Sequence, residues 1–475
     1  MEREKKLIQN TLILAIGSYL PKVTALITLP LLTEYLTKAE YGMYDLMATL
    51  VSLLLPAVTL QIQSAAFRFL ISYRDSKEKV TAIISNIFAF TIPMSILGLL
   101  VTYALLQGIS DDTKLWMMLY FFVDIIYIGV GQVARGLGKN AVFALAAILN
   151  SITNMCGMCI SLLWIHTGLN GIIGSMAIGG VVATLFMGIS IKIPMYFDVS
   201  TIHIYEIKRM LAYSWPMVPN ALSNWVLSLS DRLVLLNFIG IEANAVYAVA
   251  NKIPSLISAF RNNFTSAWQE NASLSVNDDD KTQYYSDMVN QVNRIIVAMV
   301  AGLIAITPVL FSLLIRGDYD SAYSQIPILY LGVYFASMAQ FMGGIYIAYM
   351  KTKSVGITTM LAAVCNLVID LLVVKKIGIY AASISTLISY LVLFVYRLID
   401  VQKFQPLKIN YGKMTVYFGC LMAMSILVAQ RGIWLNLLNV VFGFCFAIII
   451  NRGLVGAVLK GITRKAINIL HLKKR

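Results

Sequence analysis

The sequence predicts an all-α polytopic membrane protein with about 14 transmembrane helices, in which two six-helix lobes form a parallel repeat and two C-terminal helices follow. Of its 475 residues, 59% are hydrophobic and 13% are charged, whereas roughly 25% of the residues of a soluble domain are charged. The apolar residues are grouped in stretches near the ~20 residues that cross a bilayer. Similar segments recur in the two halves of the chain, and they predict the repeat.

The spans are placed where apolar stretches lie between polar turns. The first follows the basic segment MEREKK without a small-residue cleavage site, so we expect a retained helix rather than a cleaved signal. The spans are predicted at residues 7–33, 42–71, 80–106, 114–134, 141–165, 170–192, 211–238, 244–271, 287–314, 324–350, 355–374, 378–399, 412–430 and 433–458.

A polar connector divides the chain into its predicted domains. We expect an N-terminal lobe at 1–192, a cytoplasmic linker at 193–210, a second lobe at 211–400, and two extra helices with a basic cytoplasmic tail at 401–475. LAAILNSITN at 145–154 resembles LAAVCNLVID at 361–370, and both segments open a span in the same ordinal place of their half. Equivalent spans six apart share one membrane orientation, which indicates a parallel repeat with its substrate site at the interface of the halves.

The basic residues favour one side of the membrane. When the loops are assigned alternately, 26 of the 37 Lys and Arg residues fall on one side and 6 on the other, with Lys375 and Lys376 as the exception. This bias marks the cytoplasmic side, so we expect both termini in the cytoplasm. The net charge of +14 is then a sign of membrane topology rather than of nucleic-acid binding.

Five cations lie within or near the ends of predicted spans, where each costs about 2.5–3.5 kcal/mol at the bilayer centre. They predict a water-filled, cationic cavity that binds an anionic substrate, and they are Lys22, Arg68, Arg232, Lys252 and Arg261. Other interpretations remain open: Asp231 and Arg232 pair with charges on other helices, or Arg68 and Arg261 extend to lipid phosphates. Lys252 and Arg261 are nine residues apart and face one cavity only if Pro254 bends their helix.

Polar residues in the same spans are candidates for two further roles. Asp124 and Asp370 are candidates for ion coupling, although helix–helix hydrogen bonds would also explain them. The three histidines form no ligand cluster, Cys156 and Cys159 are expected to pack in an apolar span, and neither a metal nor a cofactor is expected. The candidates for sugar contacts are Gln61, Asn220, Asn224, Asn263 and Trp268.

Several phrases resemble the polysaccharide flippases of the multidrug/oligosaccharidyl-lipid/polysaccharide exporter superfamily. They are Asn10-Thr11, EYGMYD at 40–45, AFRF at 66–69, YSWPMVPN at 213–220, Ser230-Asp231-Arg232 and VYAVANKIP at 246–254. The resemblance implies a fourteen-helix transporter that moves an undecaprenyl-pyrophosphate-linked oligosaccharide from the inner to the outer leaflet of the bacterial cytoplasmic membrane. It also implies that helices 1, 2, 7 and 8 line a cationic cavity, that the two extra helices help to hold the lipid tail, and that other polysaccharide assembly proteins are partners.

Two alternatives to the flippase stay open. A multidrug exporter of the same superfamily would move organic cations, but it would favour twelve spans and an acidic cavity. A membrane glycosyltransferase or glycan polymerase would be an enzyme, and Asp318-Tyr319-Asp320 has the spacing of a metal–nucleotide motif. That motif lies on a predicted outer turn, away from cytoplasmic sugar nucleotides, so we expect a transporter and no enzyme.

Overall fold

The computed structural model describes residues 2–105 and 108–453, and for residues 2–16, 18, 19, 105, 259, 263 and 266 it describes the backbone alone. Every regular element in this part of the chain is helical. The helices are α1 (Glu2–Tyr35), α2 (Lys38–Thr59), α3 (Ile62–Tyr73), α4 (Lys77–Leu105), α5 (Asp111–Gly136), α6 (Asn140–Ile160), α7 (Gly168–Ser190), α8 (Ile204–Ser214), α9 (Met217–Phe238), α10 (Ile241–Lys252), α11 (Ser255–Leu274), α12 (Lys281–Leu314), α13 (Asp320–Ala348), α14 (Thr352–Ile377), α15 (Tyr380–Val401), α16 (Tyr411–Ala429) and α17 (Ile433–Ile450). A π-helical turn at Ser161–Ile165 extends α6, and short 3₁₀ turns lie at Ile193–Tyr196, Val199–Thr201 and Ser275–Asn277.

Among the described residues, 11 helices are long and apolar enough to cross a membrane. The all-α polytopic class is therefore confirmed, whereas the number of fourteen spans stays a prediction. The predicted spans 7–33, 211–238 and 244–271 correspond to α1, to α9 with the end of α8, and to the pair α10 and α11, which lie outside those eleven.

Two predicted spans are each divided into two helices. Span 42–71 is broken between α2 and α3, where Leu60 (φ 47°) and Gln61 (φ 60°) adopt the left-handed conformation. Neither residue is the glycine that usually marks such a turn, so the local sequence gives no signal for this break. The second break separates α10 from α11 at Pro254, which has no N–H for the helical ladder.

The described chain divides into two compact units. Unit 1 comprises residues 1–249, 314–318 and 367–382, and unit 2 comprises residues 250–313, 319–366 and 383–475. Two segments from the second half of the chain, 314–318 and 367–382, belong to unit 1. The two-lobe repeat stays a prediction.

In unit 1, α1 packs along α6, and α5 and α6 both pack on α7. The linker between α7 and α9 is attached to α4 by Asn86, which is fully buried. The Asn86 side-chain amide donates to the carbonyl of Thr201 at 2.8 Å and accepts from the N–H of His203 at 2.9 Å. The linker is thus a fixed part of unit 1.

In unit 2, α13 is the central helix, packed by α11 and α16, and 83% of its most apolar window is buried. Arg397 on α15 is buried, with only 4% of its surface exposed. Its guanidinium donates to Ala339 O (2.8 Å), Val355 O (3.3 Å), Thr358 Oγ1 (3.0 Å) and Thr359 Oγ1 (2.9 Å). These neutral oxygens attach α15 to α13 and α14.

Candidate functional site

A buried charge network in unit 1 is built from α2, α9, α10 and the segment 367–382. Arg232 Nε lies 2.6 Å from Asp45 Oδ2, and the two side chains are 11% and 9% exposed. The next residue, Asp231, is buried and accepts a 2.7 Å hydrogen bond from the hydroxyl of Tyr247. The guanidinium of Arg232 also lies 5.9 Å from the centre of the Tyr247 ring. The charges of Asp231 and Arg232 are therefore both engaged within unit 1.

Asp370 on α14 completes this network. Its side chain is 0% exposed, and neither carboxylate oxygen has a hydrogen-bond partner in the described part of the structure. Asp231 acts on it electrostatically. Two buried carboxylates that interact in this way cannot both carry an uncompensated charge at low cost. The arrangement is suited to hold a proton or a small cation.

Close packing fixes the helices that carry the network. A Cβ on Gly42 of α2 would lie 2.3 Å from the carbonyl oxygen of Ile241 on α10, so only glycine allows this approach. Asn244 Nδ2 donates to Gly42 O at 2.9 Å, and Trp225 Nε1 on α9 donates to Thr49 O at 3.1 Å. These contacts fix α2 against α9 and α10, and they therefore fix the relative positions of Asp45, Asp231 and Arg232.

The other predicted cavity cations lie in different settings. Arg68 is exposed on α3, where Nη1 lies 3.3 Å from Ser72 Oγ, and Lys22 is half-buried on α1. Both belong to unit 1, whereas Lys252 and Arg261 belong to unit 2, and Lys252 is half-buried at the end of α10. The helix is interrupted at Pro254, between the end of α10 and the start of α11.

Arg261 lines a small internal cavity of unit 2. The cavity has a volume of about 10 Å³ and is walled by Phe260, Phe264, Thr265 and Ser337 among others. Such a volume holds about one water molecule. Arg261 Nε is buried and has no hydrogen-bond partner among the described atoms, so this donor is available to an acceptor that enters the cavity.

The candidates for sugar contacts differ in exposure. Asn220 and Asn224 are exposed one turn apart on α9, and Asn224 Nδ2 donates to Asn220 O at 2.8 Å. Gln61 is half-buried, and its side-chain oxygen accepts from Ser64 Oγ at 3.2 Å. Trp268 is 2% exposed and stacks on Phe341 with ring centres 4.4 Å apart. The side chain of Asn263 lies outside the described residues.

Asp124, the other candidate for ion coupling, is half-buried on α5 and acts electrostatically on Tyr120 and Tyr127. No group of three or more His, Cys, Asp or Glu side chains within the described ranges is placed to hold a metal ion.

Sequence reasoning missed Asp45 and Tyr247 as members of the network. Both lie in the quoted phrases EYGMYD and VYAVANKIP, and an acidic residue inside an apolar stretch was the signal for Asp45.

Solved structures of membrane transporters share this fold. The structure of the lipid II flippase MurJ in an inward closed conformation superposes with a TM-score of 0.72 at 13% identity, over 94% of this chain and 100% of that chain. An inward-facing multidrug resistance MATE family transporter of the MOP superfamily gives 0.64 at 16% identity, over 83% of this chain and 95% of that chain. A MOP superfamily transporter from Pyrococcus furiosus gives 0.58 at 15% identity, over 83% and 95%. At such identities the likeness concerns the fold.

A comparison with curated protein sequences finds no match. A family model described as polysaccharide biosynthesis protein matches residues 7–268, more than half of the chain. This match includes the network residues of α2, α9 and α10 and the cations from Lys22 to Arg261. Because it covers more than half of the chain, the match shows that the chain belongs to the polysaccharide biosynthesis protein family.

Proposed function

We propose that this protein is a flippase that moves an undecaprenyl-pyrophosphate-linked oligosaccharide from the inner to the outer leaflet of the bacterial cytoplasmic membrane. The observation that carries the proposal is the family match over residues 7–268. The fold shared with a lipid II flippase supports it. The protein acts as a transporter by alternating access and not as an enzyme, and both of its termini lie in the cytoplasm.

The head group of this substrate is a pyrophosphate, which is recognised by Arg and Lys side chains. Arg68 is exposed on α3, and Arg261 presents a buried donor to a small cavity. Lys22 lies on α1 within the predicted first span, where a long side chain cannot reach the water on either side easily. We assign Lys22 and Arg68 of unit 1 to the head group and the exposed Asn220 and Asn224 to the sugars, because the cavity beside Arg261 is too small for a pyrophosphate.

Arg232 receives a different role, because its partner Asp45 neutralises it within unit 1. We assign Arg232 to the ion-coupling network around Asp231 and Asp370. Binding of a proton or a monovalent cation removes the like-charge conflict of the two carboxylates. Export of a dianionic head group from a negative interior is also favoured by the membrane potential, by about 2.3 kcal/mol per charge and 100 mV.

Depletion of the protein tests the transport function. We expect lipid-linked oligosaccharide to accumulate in the inner leaflet, as measured by its inaccessibility to an impermeant reagent in spheroplasts, and we expect its sugars to identify the glycan. Expression of the intact chain restores surface glycan. If depleted cells keep the lipid-linked oligosaccharide in the outer leaflet, the proposal fails.

The variant Lys22→Glu tests the head-group assignment. We expect it to abolish surface glycan because it repels the pyrophosphate, whereas Lys22→Arg retains a cation and most of the export. Lys353→Glu, which makes the same charge change at an exposed position, is the control and keeps normal export. Normal export by Lys22→Glu at equal membrane abundance contradicts the assignment.

The shared fold with MATE family transporters supports a second candidate, an exporter of organic cations. The two candidates are separated by measuring dye or drug efflux in cells that overexpress the protein. Efflux above that of control cells, together with a lipid-linked glycan pool that depletion leaves unchanged, would favour the organic-cation exporter.

A further inference from the structure

A groove of about 620 Å³ lies on unit 1, between α5, α6 and α7 and the π-helical turn that follows α6. Its wall is mostly apolar and includes Trp116, Ile152, Ile160 and Ile178, with Ser161 and Thr167 at one end. The volume falls within the ~300–1,000 Å³ of ordinary ligand sites, which combine apolar walls with a few polar groups. The groove shares no residue with the charge network or the cations assigned above.

The local sequence explains why the groove forms. A Cβ on Gly157 of α6 would lie 2.7 Å from Ser175 Oγ on α7, so the two helices approach closely at this level. One turn later, residues 161–165 widen into a π-helical turn that ends at His166 in the left-handed conformation. A π-turn displaces the helix surface locally, and the displaced side chains leave the floor of the groove open.

The groove opens toward the surface that faces lipid. Only 22% of the apolar window of Asn140–Ile165 is buried, against 50% for the windows of α5 and α7. Ile152 is 43% exposed, Ile160 is 40% exposed and Ile178 is 53% exposed. On helices that cross a membrane, such side chains contact hydrocarbon, so the groove is continuous with the hydrocarbon of the bilayer.

The length of the groove matches one leaflet. From Ile152 to Ser161 the helix rises about 14 Å, close to half of the ~30 Å hydrocarbon core. The polar end at Ser161 and Thr167 adjoins the α6–α7 turn, where the hydrocarbon gives way to the ester groups of the lipid. The walls toward Ile152 and Ile178 are apolar.

From this geometry we infer that the groove binds one acyl chain of a bilayer phospholipid. The chain lies along α6 over Cys156, and its ester group lies at the polar end of the groove, near Ser161 and Thr167. The bound chain fills the space between α6 and α7 that the π-turn leaves open, and it thereby supports the packing of these helices.

Cys156 reports occupancy because it lines the groove and is exposed. The full-length protein is prepared with Cys156 as its single cysteine and is purified free of lipid in detergent. The rate of its modification by a membrane-permeant maleimide is then measured against added dioleoylphosphatidylglycerol. A protein with Cys445 as its single cysteine is the control, since Cys445 is exposed on α17 and does not line the groove.

We expect saturable protection of Cys156, with modification slowed by about tenfold, which corresponds to about 1.4 kcal/mol. The modification rate of Cys445 changes only gradually with lipid concentration and does not saturate. Dibutyrylphosphatidylglycerol, which has the same head group on short chains, gives no protection. The inference is overturned if lipid slows the modification of both cysteines equally, or if the short-chain lipid protects Cys156.

Thr153→Trp fills the groove from α6 and abolishes the saturable protection by phospholipid. If this variant fails to fold, Ile178→Ala, which removes part of the wall, raises the half-saturating lipid concentration several-fold. Undecaprenyl phosphate serves as the competing probe. Protection by it at lower concentrations than by the phospholipid overturns the assignment to an acyl chain.

Discussion

The ion pair of Arg232 with Asp45 is almost fully buried, which sets it apart from the other ion pairs of the described chain. Removing one partner of a buried pair leaves an uncompensated charge in a medium of low dielectric constant. Removing one partner of an exposed pair leaves a charge that water solvates. The contrast between buried and exposed pairs is therefore measurable within this one protein.

We expect Arg232→Ala to lower the free energy of unfolding by about 3–5 kcal/mol. The exposed pair Lys38–Asp318, with Nζ 2.6 Å from Oδ2, gives the matched control, and Lys38→Ala should cost about 0–1 kcal/mol. Thermal unfolding in detergent, followed by size-exclusion chromatography, measures both. Equal losses would mean that water reaches Arg232 in the folded protein.

At the same scale, Asp370 was expected to be a functional carboxylate, and it is fully buried in the network. Its neighbour Asp231 was also noticed as a charge in a span. Their proximity could not be inferred, because the residues are far apart in the chain and the sequence carries no sign of which helices pack together. For the same reason the partner of Arg232 was not identified, since Asp45 lies 187 positions away.

At the level of elements, α2 and α10 touch through backbone at Gly42. We expect Gly42→Ala to destabilise the protein by about 1–3 kcal/mol, because the added methyl group meets the Ile241 carbonyl at 2.3 Å. Gly129→Ala on α5 is the control, since its Cβ meets open space, and it should be neutral or stabilising by up to ~1 kcal/mol. A Gly42→Ala protein as stable as the parent would show that α10 can shift without cost.

The linker after α7 depends on one side chain of α4. We expect Asn86→Ala to leave the Thr201 carbonyl and the His203 N–H without their partner, at a cost of about 1–3 kcal/mol. Limited proteolysis within residues 193–209 should become faster. Ser200→Ala, whose hydroxyl binds only the exposed Asp198, should leave the cleavage rate unchanged. An unchanged rate in Asn86→Ala would mean that other contacts suffice to hold the linker.

The two helix breaks show what the local sequence can and cannot predict about the helices. The break at Pro254 lies at a residue that the sequence marks, because proline interrupts the helical ladder. The break at Leu60 and Gln61 does not, because long side chains rarely adopt positive φ and only tertiary packing imposes it. The local sequence therefore predicts a helix break where Pro or Gly occupies the position. It does not predict a break that the packing of the surrounding helices imposes.

For the whole molecule, the charge bias predicts which turns face the cytoplasm. We expect Ser110→Cys, in a cysteine-free background, to react with an impermeant maleimide in intact cells. Lys139→Cys, which is also exposed, should react only after permeabilisation. The reverse pattern would place both termini outside the cytoplasm and would invert the proposed direction of transport.

The number of spans and the repeat are also properties of the whole molecule. Hydropathy finds the apolar helices, since a bilayer requires about 20 apolar residues. The hydropathy signal is weaker for α9, α10 and α11, whose polar residues lower the mean hydropathy, and α9 and α10 carry Asp231, Arg232 and Tyr247 of the charge network. The functional helices are thus the ones that hydropathy alone identifies least well.

Arg397 places a buried positive charge on α15. Its positive charge is surrounded by hydroxyl and carbonyl oxygens in unit 2, and guanidinium keeps its proton under all physiological conditions. Any step that displaces α15 along the membrane normal therefore carries a gating charge through the field, which is worth about 2.3 kcal/mol for a full crossing at 100 mV. The turnover of such a carrier would depend on voltage even with an uncharged cargo.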